Sequence, residues 1–566
     1  MSSEMIRLSI DGRPIEVPAE TTILQAAEKL GIFIPRYCYH PGLDIVGSCR
    51  MCQVEIKGNP KPAISCHVRV QPDQEVFTDS PLVRRSRRAV LEFLLLNHPI
   101  DCPICDASGE CDLQDFYMTD GRHKSRLRLP KLNRKKATRL GPTIVLDQER
   151  CILCSRCVRF LRDITRTHEL GFFGRGSTSY VDVVDGGSIE GNPYAGNIVD
   201  ICPVGALTDE SFRFKCRAWY LSEAPSICPH CATGCNTSVQ FNTELCWKND
   251  GKRIMRIMPR FNPQVNDYWM CDIGRHNHDW AEEQTRIKRP LRLSSGAAEE
   301  ITWEEALSFA IPNLTGLPDR EGGKPIAALP SLWMTNESAY LFRRLFLEGL
   351  GACATSLPMG ESESGDDGLL LHDDRNPNRL GLKVIGCTDH AGDSPRDEIL
   401  RQASEGKFAA LVFVQDRVDR LPPVELIEAA TRGAAFVMVL ASNTSPFTER
   451  AKLVLPISPW TEDDGTWVNW RGLVQRLTPA LPPVGYSRNT AQVLAMLGTR
   501  LGVELGDGKP EETFARLAQA VPEFEGLSYD TLGEFGAPLK GHCGSKGCRV
   551  GCEALGRFDL AGNSGR

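Results

Sequence analysis

The sequence predicts a multidomain chain in which α+β metal-binding domains precede an α/β body. Three observations carry this. The 566 residues exceed what one core organises, so roughly three to five domains are expected. Seventeen of the 22 cysteines fall between positions 38 and 271, and all of these but Cys216 and Cys246 form four groups of ligand-like spacing. Beyond them, short apolar runs alternate with helical patterns, the signature of mostly parallel strands covered by helices.

The bulk properties narrow the function classes. Composition is globular, 41% apolar and 24% charged. No window reaches the ~18–20 consecutive apolar residues of a membrane span; the best run, 89–96, is far shorter. The opening MSSEMIRLSI has no basic segment followed by an apolar one, so a secretory leader is not expected. A reducing compartment follows, where clustered cysteines bind metal more readily than they pair as disulfides. The net charge of −6 gives no case for nucleic acid. Two basic runs, 84–88 and 122–139, read as a solvated helix end and a solvated linker, with docking onto an acidic partner as the sharper alternative.

Residues 1–80 read as a two-iron domain. Ile6, Leu8 and Ile10 alternate with polar residues, Asp11-Gly12 makes a hairpin turn, and Ile15 and Val17 resume the alternation. Thr21 or Thr22 caps a helix that Gly31 stops. Cys38, Cys49, Cys52 and Cys66 then give C-x10-C-x2-C-x13-C, close to the plant-type two-iron pattern but with a longer first gap. Gly47 and Ser48 leave backbone N–H groups free to meet cluster sulfur. Zinc is the alternative that four thiolates also allow. His40 is read as a surface histidine.

Residues 81–120 carry the second set. Val83, Ala89, Val90, Phe93, Leu94 and Leu96 recur at helical spacing up to Asn97. Cys102, Cys105 and Cys111 lack a fourth cysteine, and His98 stands just upstream on a Pro-containing turn. A neutral imidazole in place of a thiolate removes one negative charge and raises a cluster's potential.

Residues 140–215 read as a bacterial two-cluster ferredoxin that has lost one cluster. Cys151, Cys154 and Cys157 begin a C-x2-C-x2-C-x3-C-P repeat, with Leu161 where its fourth cysteine belongs. The second repeat places Asn192, Ala195, Ile198 and Cys202 at ligand positions, and only Cys202 survives, followed by Pro203. In such repeats the fourth cysteine serves the other cluster, so Cys202 completes the set of Cys151, Cys154 and Cys157.

Residues 216–285 hold Cys228, Cys231 and Cys235 as C-x2-C-x3-C. The fourth place falls to Cys271, in Trp269-Met270-Cys271-Asp272-Ile273-Gly274, or to Cys246 within the intervening segment of two strand-like runs, 237–241 and 253–258. Zinc is again the alternative.

In that order, the region 5–280 resembles the large iron–sulfur subunit, the bacterial G subunit, of respiratory NADH:quinone oxidoreductase (complex I). The resemblance rests on C-x10-C-x2-C-x13-C, then H-x3-C-x2-C-x5-C, then C-x2-C-x2-C with C-P-V-G-A-L. It implies one 2Fe-2S and three 4Fe-4S clusters, a ferredoxin-like β-grasp N-terminal domain, four-iron ferredoxin-like domains, and a place on the cytoplasmic face of the bacterial inner membrane. Implied partners are a flavin- and NADH-binding subunit and quinone-side subunits, with the membrane reached through those partners.

Residues 286–500 are expected to form a molybdopterin-oxidoreductase-like α/β body. Arg289-Pro290-Leu291, Ile301 to Ala306, Thr335-Asn336-Glu337 and Glu462 to Asn469 resemble that fold. Strands are expected at 326–329, 383–386, 409–414, 435–440 and 451–455, and helices at 338–350 and 423–432. Members that do molybdenum chemistry usually carry Lys or Arg two residues after the last cluster cysteine, where this chain has Ile273, and a cysteine-type metal ligand, whose motif surrounds neither Cys353 nor Cys387. No molybdopterin, no independent catalytic residue and, absent a G-x-G-x-x-G after a strand, no nicotinamide site are expected. Residues 501–566 read as a tail with a weak Cys543, Cys548, Cys552 metal signal that His542 completes.

The expected function is therefore single-electron conduction from a flavin-bearing partner toward quinone. The alternatives are the wiring subunit of an NAD-linked hydrogenase, a molybdenum-dependent formate dehydrogenase, and a zinc scaffold.

Overall fold

A computed structural model describes residues 4–122, 124–294, 297–316, 326–352, 366–387, 396–415 and 421–542. The chain divides into two compact units, Met1–Leu221 and Ser222–Arg566. Among the described residues no helix is long and apolar enough to cross a membrane.

The first unit opens with the hairpin that the alternation predicts. Met5–Ile10 pairs antiparallel with Arg13–Pro18, and Asp11 and Gly12 both take positive φ (48° and 76°), as a tight two-residue turn requires. Met5–Ile10 also runs parallel to Glu75–Phe77, and the sheet continues through Gln53–Ile56 to Ala63–Ile64. The helix Ile23–Lys29 starts at Thr22, whose side chain accepts from the Gln25 amide while Gln25 reaches back. Ile10, Ile23, Leu24 and Val54 fill the space between helix and sheet.

The helix Pro81–Leu95 forms as expected, with Ser80 as its cap. Its buried residues are Val83, Arg87 and Leu91, not the Phe93 side of the stripe; Phe93 is 73% exposed. Arg87 explains the difference, because its stem is buried and its guanidinium donates to the Gln53 carbonyl at 3.3 Å. The basic run 122–139 is not a free linker either. Lys131 donates to the carbonyls of Leu95 (2.8 Å) and His98 (2.6 Å), and Lys136 meets Glu149 at 2.7 Å.

At residues 140–215 a small sheet, ordered Leu207–Asp209, Ile144–Leu146, Thr138–Arg139, lies with the hairpin Leu170–Phe173 and Tyr180–Val183. The positions of the lost cluster are filled with protein. Leu161 and Ile198 are wholly buried, and Asn192 donates to Thr167 Oγ1 (2.9 Å) and Glu169 Oε1 (3.0 Å).

In the second unit the antiparallel strands Ser222–Ile227, Asn236–Phe241 and Ile254–Pro259 share one apolar core with the α/β body: Ile227, Val239 and Met270 belong to the same cluster as Leu440, Phe514 and Leu539. The expected boundary near 285 therefore does not separate two cores. The main sheet has parallel strands Ile326–Leu329, Ala410–Gln415, Phe436–Ala441 and Leu453–Pro456, extended antiparallel by Leu291–Ser294 and Ala297–Glu300.

Two expectations fail here. Residues 383–386 are not a strand but the end of the helix Arg379–Ile385, closed by Gly386 at φ 81°. Its apolar residues are spaced to face a helix core, and the run is too short to declare its period. Residues 502–542 are not a tail. The helix Pro510–Ala520 buries Phe514 and Leu517, and Ala537–Pro538 pairs with Leu473–Leu477. Cys543, Cys548 and Cys552 lie outside the described residues, as does Cys353.

Glu337 is fully buried near this core and accepts from the Thr466 amide (2.9 Å), Thr466 Oγ1 (3.0 Å) and Tyr529 (3.0 Å). Burial nevertheless pushes its carboxyl up to about 7. The folded chain then keeps a proton that the unfolded chain releases, so this stability is complete in mild acid and is lost as pH rises through about 7. Glu337→Gln is expected to flatten the fall in melting temperature between about pH 5 and pH 8. An unchanged slope would assign that pH dependence to other groups.

Candidate metal centres

The four sets sit on different supports. In the first, the loop after Ile34 delivers Cys38, and the turn before Gln53–Ile56 delivers Cys49 and Cys52. Cys66 follows the strand Ala63–Ile64. Their thiols come together as two hydrogen-bonded pairs. Cys38 is lowered to about 5, chiefly by the Cys49 thiol and further by the side chain and amide of Ser48. Cys52 is lowered to about 7 by the Cys66 thiol and by Ser65. Cys49 and Cys66, as the donors, are pushed up. Thus Ser48 does point polar hydrogens at sulfur. His40 is half-buried rather than on the surface, and burial lowers it to about 3; its Nδ1 accepts from the Gly42 amide at 3.1 Å.

In the second set, His98 follows the helix Pro81–Leu95, Cys102 and Cys105 flank the short turn Cys102–Ile104, and Cys111 caps the helix Asp112–Asp120. Burial lowers His98 to about 4, so its ring is neutral near pH 7, the form that binds metal. Among the described residues its buried Nδ1 has no hydrogen-bond partner, and the ring is hydrogen-bonded to the backbone of Arg150. One nitrogen oriented by backbone and the other left open is the arrangement of a ligating histidine. Burial pushes Cys111 up to about 11, while amides of Gln114 and Leu113 at the helix start favour its thiolate. A Cβ at Gly205 would lie 2.3 Å from Cys105 Sγ, so only glycine permits this approach.

The third set lines one small cavity together with Leu146, Val181 and Val204. Leu153 and Ser155 take positive φ (55° and 66°), which curls the loop around the space and aims the Leu153 amide at Cys151 Sγ, 3.5 Å away. Cys202 enters from the turn after the helix Asn197–Asp200. Burial pushes Cys151, Cys154 and Cys202 up to about 11 and Cys157 further, while amides of Val204, Leu207 and Ala206 stabilise the Cys202 thiolate. Such thiols keep their protons until a metal displaces them.

In the fourth set, Cys228, Cys231, Cys235 and Cys271 are all buried. Burial and the charges of Cys228, Cys231 and Cys271 raise Cys235, and burial pushes Cys271 up to about 12. A Cβ at Gly274 would lie 2.9 Å from Cys228 Sγ and 3.8 Å from Cys271 Sγ, and the Gly274 amide donates to Cys271 Sγ at 3.4 Å. Cys246, the other contender, starts the turn Cys246–Asn249 instead. Ile273 is 41% exposed. Cys387 does not suit a metal ligand: its thiol is fully buried, donates to the Ala339 carbonyl at 3.2 Å and is pushed up to about 12 by burial.

The first three sets interlock within the first unit. Tyr37, next to Cys38, packs on Phe116 of the helix that Cys111 caps (ring centroids 5.2 Å apart). Asp112, next to Cys111, donates its amide to Pro203, next to Cys202, at 3.0 Å. Arg150, next to Cys151, pairs with Asp101, next to Cys102, at 2.7 Å. Spacing alone does not predict these partners; their adjacency to ligand positions is the one signal the sequence held.

Comparisons with known proteins agree with this layout. The family of 2Fe-2S iron-sulfur cluster binding domains matches residues 3–81, the NADH-ubiquinone oxidoreductase-G iron-sulfur binding region matches 87–126, and the ferredoxin-like domain of NADH-quinone oxidoreductase subunit 3 matches 141–208. The molybdopterin oxidoreductase family matches 388–500. The 75 kDa subunit of NADH-ubiquinone oxidoreductase from Reclinomonas americana is 38% identical over 73% of this chain and 57% of its own length. The NADH-quinone oxidoreductase G subunit of Streptomyces coelicolor is 33% identical, over 81% of this chain and 53% of that protein. Its counterpart in Rickettsia felis is 38% identical, over 62% and 50%. The chain thus spans about half the length of the relatives it matches.

Proposed function

We propose that this chain, which belongs to the family of the large iron–sulfur subunit of NADH-quinone oxidoreductase, carries single electrons from a flavin-bearing partner toward the quinone-side subunits of a respiratory complex. Cys38, Cys49, Cys52 and Cys66 would hold a 2Fe-2S cluster. Three 4Fe-4S clusters would be held by His98, Cys102, Cys105 and Cys111, by Cys151, Cys154, Cys157 and Cys202, and by Cys228, Cys231, Cys235 and Cys271. When bound, each cluster supplies a one-electron redox change.

The protein's part is to bury the sulfurs, exclude water and fix the spacing. The observation that carries the reading is the interlock of the first three sets through Asp112–Pro203 and Arg150–Asp101. A catalytic centre needs one site, whereas several sets held rigidly side by side suit transfer from one to the next. No substrate bond is made in this chain and no molybdopterin is bound. The subunit sits peripherally at the cytoplasmic membrane face, attached through its partners.

EPR during a redox titration of the purified complex, with metal and sulfide analysis, tests this. About 14 iron and 14 sulfide per chain are expected. Stoichiometric molybdenum or tungsten, or about four zinc in place of iron, would overturn it.

His98 gives a sharper prediction. His98→Cys is expected to retain the second cluster and lower its potential, because a thiolate adds one negative charge. An unmoved signal and potential would make His98 a structural residue.

A further inference from the structure

The short helix Arg156–Arg159 begins inside the third set, and both terminal arginines are buried, Arg156 at 9% and Arg159 at 3% exposure. Neither forms an ion pair with a carboxylate among the described residues; the nearby Asp163 is engaged by Arg162 at 2.6 Å. Their guanidinium hydrogens go to neutral oxygens instead. Arg159 donates to the carbonyls of Cys38 and Asp44 and, at 3.0 Å, to Ser155 Oγ. Arg156 donates to the carbonyls of Tyr39 (2.8 Å) and Ile201 (3.1 Å). The pair therefore grips the loop of the first set at Cys38 and Tyr39, and that of the third at Ser155 and Ile201.

A buried cation held only by neutral oxygens is costly unless an anion lies near. The groups of the two sets whose thiolate charge would act on Arg159 are Cys38 and Cys154, one from each, with Asp163 acting in the same direction. A second positive charge, Arg156, stands one helical turn away and acts on the carboxylate of Asp112, beside Cys111. Two anionic thiolate sets on either side are what such a pair balances.

We propose that Arg159, with Arg156 beside it, is the shared counter-cation and positioning residue of the first and third metal centres, fixing their loops together and raising the potentials of both. This rests on the electron-carrier reading and adds to it which residue couples two of the carriers. A fixed positive charge favours the reduced, more negative state of each neighbouring centre, so its removal lowers both potentials together.

The test uses the assembled complex, with EPR-monitored redox titration of wild type, Arg159→Gln and Arg159→Lys. In R159Q the midpoints of the first and third centres are expected to shift down together at unchanged iron content, while that of the fourth stays. In R159K, which keeps the charge and loses the fork, both potentials are expected near wild type. Unmoved potentials in R159Q, or a fall in R159K as large as in R159Q, would overturn the proposal. Should R159Q lose iron, Arg156→Gln replaces it as the charge-removal variant under the same criteria. Failure of the electron-carrier reading looks different: the wild-type complex itself would lack the iron and sulfide.

Discussion

Cys202→Ser is expected to lower the iron and sulfide content by about four each per chain and to abolish the EPR signal of the third centre. Cys202 is the only member of its set that does not come from the 151–157 loop, and it lines the same cavity as the other three. Serine offers a hydroxyl whose proton is far harder to remove, and the lining around it includes apolar Leu146, Val181 and Val204. Among the described residues of this unit the remaining cysteines are those proposed for the other two sets and Cys216, whose thiol donates to the Arg217 carbonyl at 3.5 Å. Cys246→Ser is expected to leave the iron unchanged, since Gly274 lies close to the sulfurs of both Cys228 and Cys271. Full iron in C202S, or a loss of about four in C246S, would redraw the third or the fourth set.

Glu462→Ala is expected to destabilise the second unit by about 3–5 kcal/mol. Glu462 has no side-chain exposure and accepts from Arg286 through both oxygens, at 3.0 and 2.8 Å, and from Arg253 at 3.0 Å. Arg286 is itself 2% exposed at its side chain. Removing the carboxylate leaves the buried Arg286 guanidinium without its anion, while Arg253 keeps Glu282 at 2.6 Å, and an uncompensated buried charge costs more than the loss of the contacts themselves. Eight of the nine tryptophans lie beyond residue 221, and Trp460 stacks on Trp280 at 5.8 Å. Tryptophan fluorescence in a urea titration therefore reports this unit, and a midpoint within error of wild type would remove the triad from its stability.

The fold is legible in the sequence where the controlling interactions are local. The Asp11-Gly12 hairpin, the Thr22 cap and the C-x2-C loops depend on a few neighbouring residues whose φ, ψ and hydrogen bonds are set within one turn. The deleted ferredoxin repeat is legible for the same reason, since Leu161 and Ile198 stand at fixed offsets from surviving cysteines. Their burial shows what the deletion means physically: apolar side chains occupy the vacated positions.

The failures share a different cause. The apolar spacing around Phe93 predicts a helix and leaves its buried face open, because periodicity says that a face is covered and not by what; in the fold Val83, Arg87 and Leu91 are buried, and Arg87 donates to the Gln53 carbonyl. Residues 383–386 have strand-like composition but complete a helix, and residues 502–542 look loose because Gly506 and Gly508 punctuate a segment that packs on the body. Local chemistry alone determined the four candidate ligand sets and the residue types in them. Only the tertiary structure decided that three of them interlock, that two buried arginines tie the first to the third, and that the fourth shares its core with the body behind it. Ligand spacing is written over a few residues, whereas a buried charge gains its partners from loops more than a hundred residues away.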